Sequence, residues 1–431
     1  MTDTNDVLLI RGGTPLAGEL PVFRAKNSAL YLIFASLLSD EPVILEDVPR
    51  LSDVMISEEI LRHIGVDTKW QDHELHLHAR SIRTCNAPYS LVSKMRASFV
   101  VMGALLGRCG EARVPMPGGC AFGPRPVDRH LAALRDLGAI IDEDEGEFHA
   151  RKHGEFSGTV TFEAPTVGGT QNVLLATAVG NSTVIIENAA LEPEIADLAD
   201  MLNAMGADIQ GAGTRTITVK GAAKLGGVRY RPIPDRIEAG TLMLAAAATR
   251  GTVTLSDVRP EHLVAVSTAL AATGVEITEG PNTITVDARG ELRPTTIEAA
   301  EYPGVPTDLQ APFSAYLATV PGISTLSDSV YPDRFTHVED LARTGADLRL
   351  NERTLEVRGG PLRAAAMHAA DIRAGGALIV AALAATGTSE VGGLKFVDRG
   401  YERLTERLAH LGATVQRQST PKLTATGTFG D

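Results

Sequence analysis

Residues 236–277 read RIEAGTLMLAAAATRGTVTLSDVRPEHLVAVSTALAATGVEI, and this stretch carries the plan of the whole chain. From Arg236 to Thr249 the sequence is rich in Ala and Leu and apolar almost all round, which predicts a helix buried on every side. Thr252-Val253-Thr254-Leu255 is a β-branched strand. Pro260 opens a second helix that runs to Thr273, and Gly274 closes it as a C-cap before the strand Val275-Glu276-Ile277.

The same ending, a glycine followed by Ala or Val and then a strand, recurs at Gly65, Gly138, Gly206, Gly274, Gly345 and Gly412, every 67 to 73 residues. Six copies of a helix-strand-helix-strand unit therefore fill nearly the whole chain. Their first helices are expected to begin near Lys26, Lys94, Gly169, Arg236, Thr307 and Ile372. A unit of this length is too long for a solenoid of helix pairs and suits two domains of three. The expected division is 23–233 for one domain and 1–22 with 234–431 for the other, crossing over at Tyr230-Arg231-Pro232-Ile233-Pro234. With the first helices buried, the strands lie outside them, an α/β fold that inverts the usual barrel. The Thr-, Gly- and Pro-rich end, Gln416 to Asp431, is expected to fray.

The chain has 431 residues, 44% of them hydrophobic, and a formal charge of -13. That balance disfavours nucleic acid or an anionic membrane as partner. No apolar run approaches a membrane span, and the opening Met-Thr-Asp-Thr-Asn-Asp lacks the basic and apolar regions of an export signal. Cys85, Cys109 and Cys120 fit no metal-site spacing and suit a reducing compartment, so a cytoplasmic location and no metal are expected.

Residues 117–130, PGGCAFGPRPVDRH, place Cys120 among glycines and prolines ahead of a helix start. Arg125 and the positive end of that helix are the surroundings that lower a thiol pKa. Basic residues also recur at equivalent points of the repeat. Lys26, Arg96, Arg236 and Arg373 lie at or near first-helix starts, and Arg125, Arg334 and Arg399 lie in the turns before second helices. Together with helix N-termini, such a set would hold a polyanion, unless each pairs with a neighbouring acid such as Asp235, Asp333 or Asp398.

Lys26-Asn27, Met95-Arg96-Ala97-Ser98, the cysteine loop, Glu187-Asn188-Ala189-Ala190, Pro234-Asp235-Arg236-Ile237-Glu238, Pro306-Thr307-Asp308-Leu309-Gln310 and Asp398-Arg399-Gly400-Tyr401 follow one another in order. In this combination the chain resembles the UDP-N-acetylglucosamine enolpyruvyl transferase family from about residue 8 to residue 415. The resemblance implies a pair of inside-out α/β barrels, the enolpyruvyl transferase fold, and transfer of the enolpyruvyl group of phosphoenolpyruvate to a sugar hydroxyl of a uridine nucleotide with release of phosphate. It implies Cys120 as the acid at carbon 3, open to epoxide phosphonates such as fosfomycin, and Asp308 as the base for the acceptor hydroxyl. Lys26, Arg125 and Arg399 would hold phosphoenolpyruvate, supported by Arg96, Arg334 and Arg373. Asn27, Arg125, Pro126, Val127, Asp128, Thr166, Val167, Gly168, Asp308 and Val330 would hold the acceptor. No cofactor is implied.

The acceptor half departs from the family pattern. Arg24 stands where Gly is usual, Arg129 where Leu is, Leu191 where Arg is, and Gly168-Gly169-Thr170-Gln171 replaces Gly-Ala-Thr-Glu. Three readings follow. One is UDP-N-acetylglucosamine as acceptor, feeding peptidoglycan synthesis. Another is a different uridine nucleotide such as UMP, as in nucleoside-antibiotic biosynthesis. The third is a non-catalytic nucleotide-binding paralogue. In the catalytic readings the two domains close across a cleft on the acceptor, with the cysteine loop as lid.

Overall fold

All six glycines that punctuate the repeat have positive φ, between 86° and 118°, where a side chain would be strained. Each follows a second helix: Ser52–Ile64, Asp128–Asp136, Pro193–Ala204, Val264–Ala272, Val338–Ala342 and Leu404–His410. The structure, a computed structural model, describes residues 5–118 and 127–420.

The first helices are Lys26–Ala35, Val101–Cys109, Val167–Thr177, Arg236–Ala248, Gln310–Leu317 and Ile372–Ala384. Two of them are entered through 3-10 turns, Arg96–Val100 and Thr307–Leu309. Every residue of Arg236–Ala248 is buried, as its all-round apolar sequence requires. It packs with Gln310–Leu317 and Ile372–Ala384 in one core, where Phe313, Tyr316 and Leu378 are fully enclosed. Burying each such side chain stabilises the fold by about 1.5–3 kcal/mol, before the entropy cost of ordering it.

Around the helices stand six sheets of one topology. In the sheet of copy four, Thr252–Ser256 pairs in parallel with Ala17–Pro21 and antiparallel with Thr283–Asp287, which pairs antiparallel with Glu276–Glu279. The same order holds in the sheets built on Val43–Leu45, Thr183–Glu187, Gly322–Asp328 and Gly387–Gly392. In the sixth sheet, on Glu111–Pro115, a single bridge from Asn86 to Arg113 stands in for the parallel strand. The repeating unit thus contributes a hairpin and a parallel strand, more than the two strands expected from sequence.

The unit is also permuted along the chain. Asn5–Gly12 is the central strand between Gly387–Gly392 and Thr414–Thr420, so the N-terminus completes the last sheet. This corrects the expectation that Gln416 onwards frays: up to Thr420 the segment is paired to Asn5–Gly12, and the rest lies outside the described residues.

Two compact units result, Met1–Val22 with Arg236–Asp431, and Phe23–Asp235, each with three sheets. In the second unit the ends of the segment lie side by side. Arg24 bridges Pro234, and the Asp235 N–H donates to the Phe23 carbonyl at 2.8 Å. Asp235 Oδ2 accepts the Lys26 N–H at 3.1 Å, capping a helix whose own flanking residue, Ala25, has no side chain to do so.

Candidate active site

In the unit containing the C-terminal half, the 3-10 turn Thr307–Leu309 presents Asp308 to two arginines. Arg334 Nη1 lies 2.7 Å from Oδ1 and Arg373 Nη2 lies 2.7 Å from Oδ2. Both guanidinium groups are buried, while the Asp308 side chain keeps 24% of its exposure. Burial alone would raise the carboxyl pKa, but the charges and hydrogen bonds of Arg373 and Arg334 outweigh it and hold Asp308 well below the usual carboxylate range.

The frame around this triad is made of aspartates. Asp371 caps the helix Ile372–Ala384 by accepting from the N–H groups of Arg373 at 2.8 Å and Ala374 at 3.1 Å, which fixes where the Arg373 side chain starts. Asp328 Oδ1 accepts from the N–H groups of Val330 at 2.9 Å and Tyr331 at 2.8 Å. Its Oδ2 takes the Thr307 hydroxyl at 2.5 Å, and Thr307 in turn accepts from Arg334 at 3.2 Å. Arg334 therefore pairs with Asp308 across the sequence and not with its neighbour Asp333. Arg399 is half-buried in the turn after Leu394–Val397. His337, buried, donates through Nε2 to Ser314 Oγ at 2.7 Å, because that hydroxyl donates to the Ala311 carbonyl. Burial pushes the His337 pKa down to about 4 against the charge of Asp371 and with that of Arg334.

In the unit Phe23–Asp235, Lys26 begins its helix with the ammonium 3.2 Å from Asp53, both side chains buried. Asn27 is half-buried beside it. The segment Thr166-Val167-Gly168 opens the helix Val167–Thr177, with Thr166 Oγ1 accepting the Gly169 N–H at 3.3 Å. Gly168 stands against the His130 ring: a Cβ there would meet Cε1 at 2.7 Å. His130 is 7% exposed, and burial and the charge of Arg96 push its pKa down to about 3. His130 thus feels the charge of Arg96 and packs against Gly168. Val127 is buried and Asp128 exposed at the start of Asp128–Asp136.

Cys120, Arg125 and Pro126 lie outside the described residues. Cys85 and Cys109 are free thiols, and burial and the neighbouring Cys85 sulfur raise the Cys109 pKa, which keeps it inert. Among the described residues no group of three or more His, Cys, Asp or Glu side chains could hold a metal ion, and no helix is long and apolar enough to cross a membrane. Sequence reading missed Asp53, His130, Asn172, Asp328 and Asp371. Only His130 had a local signal, its place directly after Pro126-Val127-Asp128-Arg129.

The chain matches the family model of EPSP synthase (3-phosphoshikimate 1-carboxyvinyltransferase) over residues 10–408. It is 53% identical over 415 residues to a UDP-N-acetylglucosamine 1-carboxyvinyltransferase of Thermus thermophilus, covering 96% of this chain and 97% of that one. The Deinococcus radiodurans protein of the same name is 51% identical over 420 residues, covering 97% and 98%. Among solved structures, the enolpyruvyl transferase NikO from Streptomyces tendae superposes with a TM-score of 0.86 at 24% identity, covering 97% of this chain and all of that one. EPSP synthase from Acinetobacter baumannii does so with a TM-score of 0.75 at 18% identity, covering 96% and 100%. The inverted α/β architecture is therefore the enolpyruvyl transferase fold, and the chain belongs to the EPSP synthase family and, within it, to the UDP-N-acetylglucosamine 1-carboxyvinyltransferases.

Proposed function

We propose that this enzyme transfers the enolpyruvyl group of phosphoenolpyruvate to the 3-hydroxyl of UDP-N-acetylglucosamine, releasing phosphate, as a step of peptidoglycan precursor synthesis. The observation that carries the reading is the 53% identity over 96% of the chain to a relative named for that reaction.

The chemistry assigns a role to each side chain. A proton delivered to carbon 3 of phosphoenolpyruvate makes carbon 2 electrophilic, and the acceptor oxygen adds there as its own proton leaves. Loss of a proton from carbon 3 and of phosphate from carbon 2 then restores the double bond. Cys120 supplies the first proton in this reading and Asp308 receives that of the hydroxyl. Lys26, Arg125 and Arg399 hold the phosphate and carboxylate, with Arg334 and Arg373 beside Asp308. Asn27, Arg125, Pro126, Val127, Asp128, Thr166, Val167, Gly168 and Val330 hold the nucleotide sugar, and Arg96 supports the phosphoenolpyruvate set with Arg334 and Arg373. The pairing of Asp308 with two arginines makes it a weak base until anionic substrate draws those guanidinium groups towards itself. A chain with so few cysteines suits the cytoplasm, where we place the reaction.

Phosphate release measured with phosphoenolpyruvate and, in turn, UDP-N-acetylglucosamine, UDP-glucose and UMP tests the acceptor. Turnover only with UMP would replace this reading by the nucleoside one.

A further inference from the structure

Arg417 stands at an inward-facing position of the last strand, where the sheet buries apolar side chains. Its Cα lies opposite Leu8, and Leu8 lies opposite Val391, so the three point to one face. Leu8 and Val391 are buried there, on strands packed with the helix Ile372–Ala384. An arginine in that row needs charged partners, and it has two. Its Nε donates to Asp6 Oδ2 at 3.0 Å, and its terminal nitrogens take both oxygens of Asp398, Nη1 to Oδ1 at 3.0 Å and Nη2 to Oδ2 at 2.8 Å. One side chain thus ties the first strand, Asn5–Gly12, and the last, Thr414–Thr420, to the turn that carries Arg399.

That turn is unevenly supported. Its far end is seated on helices: the Tyr401 hydroxyl lies 3.1 Å from Thr241 Oγ1, and a Cβ on Gly400 would meet Ile372 Cγ2 at 2.4 Å. Its near end, at Asp398, borders a pocket of about 320 Å³ walled by Leu8, Leu394, Val397 and Leu404. Side chains that face a pocket have no protein atoms to pack against on that side. The Arg417 fork supplies there the hold that packing does not. A bidentate guanidinium–carboxylate pair fixes direction as well as distance, which a single charge on a flexible stem cannot do. With both Asp398 oxygens engaged by Arg417, the acid next to Arg399 in sequence is turned towards the chain ends.

We propose that Arg417 is a positioning residue for phosphoenolpyruvate: through Asp398 it fixes the turn from which Arg399 reaches the anion. The inference rests on the reading that Arg399 binds phosphoenolpyruvate. It gives the paired chain ends a part in substrate binding, exerted through Asp398 and not by contact with the substrate. An anion contact that serves bound substrate and transition state alike shows in KM when it is loosened, with kcat unchanged.

The test is steady-state kinetics of full-chain variants with phosphoenolpyruvate and UDP-N-acetylglucosamine, each varied at a saturating level of the other. Arg417→Met should raise the phosphoenolpyruvate KM roughly fivefold, the scale of a well-formed exposed ion pair, with kcat and the acceptor KM within about twofold of wild type. Arg417→Lys, which keeps the charge without the fork, should show the same selectivity to a smaller degree. Asp398→Asn should match Arg417→Met, and the double variant should be no worse than either, because the two side chains act as one unit. A phosphoenolpyruvate KM unmoved in both Arg417 variants, equal rises for both substrates, or additive losses in the double variant would overturn the role. Arg399→Met is the control for the reading beneath it. A larger rise in the phosphoenolpyruvate KM supports that reading, and no rise would overturn it and this inference with it.

Discussion

Arg373 holds the carboxylate of Asp308 at 2.7 Å across 65 residues of chain, and Arg334 holds its other oxygen at the same distance. A carboxylate so placed is fully ionised, available to accept a proton and reluctant to keep it. Asp308→Asn should lower turnover roughly a hundredfold or more, in the range of lost general base catalysis. It should also lower stability by roughly 1.5–3 kcal/mol, since two buried guanidinium groups lose their charged acceptor. Steady-state kinetics and urea unfolding read the two effects separately, and near-normal turnover would remove Asp308 from the chemistry.

The arginines set the working pH of that base. Removing Arg373 takes away a charge that lowers the Asp308 pKa, so in Arg373→Met the carboxylate protonates at higher pH. The acid limb of the kcat profile, measured at saturating phosphoenolpyruvate, should move up relative to wild type. A limb that stays in place would mean that another group governs it.

Acid should unfold the chain through its buried histidines. Both His130, with a pKa near 3, and His337, near 4, are depressed below the value of about 6.5 that a free imidazole has. Their contribution to stability is complete above pH about 6.5, where the unfolded chain is also neutral, and is lost as pH falls towards the folded values. Each should cost up to about 1.4 kcal/mol per pH unit in that window. Charges facing His130 come from Arg96, and those facing His337 from Asp371 and Arg334. Urea unfolding at pH 7, 6 and 5 should show this slope, and His130→Phe should reduce it by about one proton. An unchanged slope would show that His130 is not neutral in the folded chain.

An epoxide phosphonate, fosfomycin, should alkylate Cys120 and leave Cys109, whose thiol burial and Cys85 hold protonated. Peptide mapping after incubation should find one adduct, on the loop. Modification of Cys85 or Cys109 with Cys120 untouched would take the acid role away from Cys120.

The six glycines made the fold legible, because a left-handed C-cap is a local demand that only glycine meets cheaply, and all six meet it. The all-round apolar helices were legible for the same reason: burial on every side leaves no polar face in the sequence. The returning strands of the hairpins were not. Asp67–Gln71 and Asp347–Asn351 were announced by Gly65 and Gly345, but their partners Glu74–His78 and Thr354–Gly359 stand outside the two-strand unit that the repeat suggested. Nor did sequence show that Thr414–Thr420 pairs with Asn5–Gly12, since the partners lie at opposite ends of the chain. In the site, the residue types were readable but their pairings were not. Arg334 has an acid next to it in sequence, Asp333, and takes one 26 residues away instead, because the turn held by Asp328 points it back at Thr307 and Asp308. Asp53 meets Lys26, and Asn172 meets His130, only through packing of separate helices.

The most direct measurement is the identity of the product. The full chain is incubated with phosphoenolpyruvate carrying 13C at carbon 2 and with UDP-N-acetylglucosamine, and the nucleotide fraction is examined by mass spectrometry and NMR. The account predicts a nucleotide sugar heavier by one enolpyruvyl group, with the labelled carbon bonded to the 3-oxygen of the sugar and one phosphate released per product. Phosphate released with no label on the nucleotide, or label on any other oxygen, would contradict it.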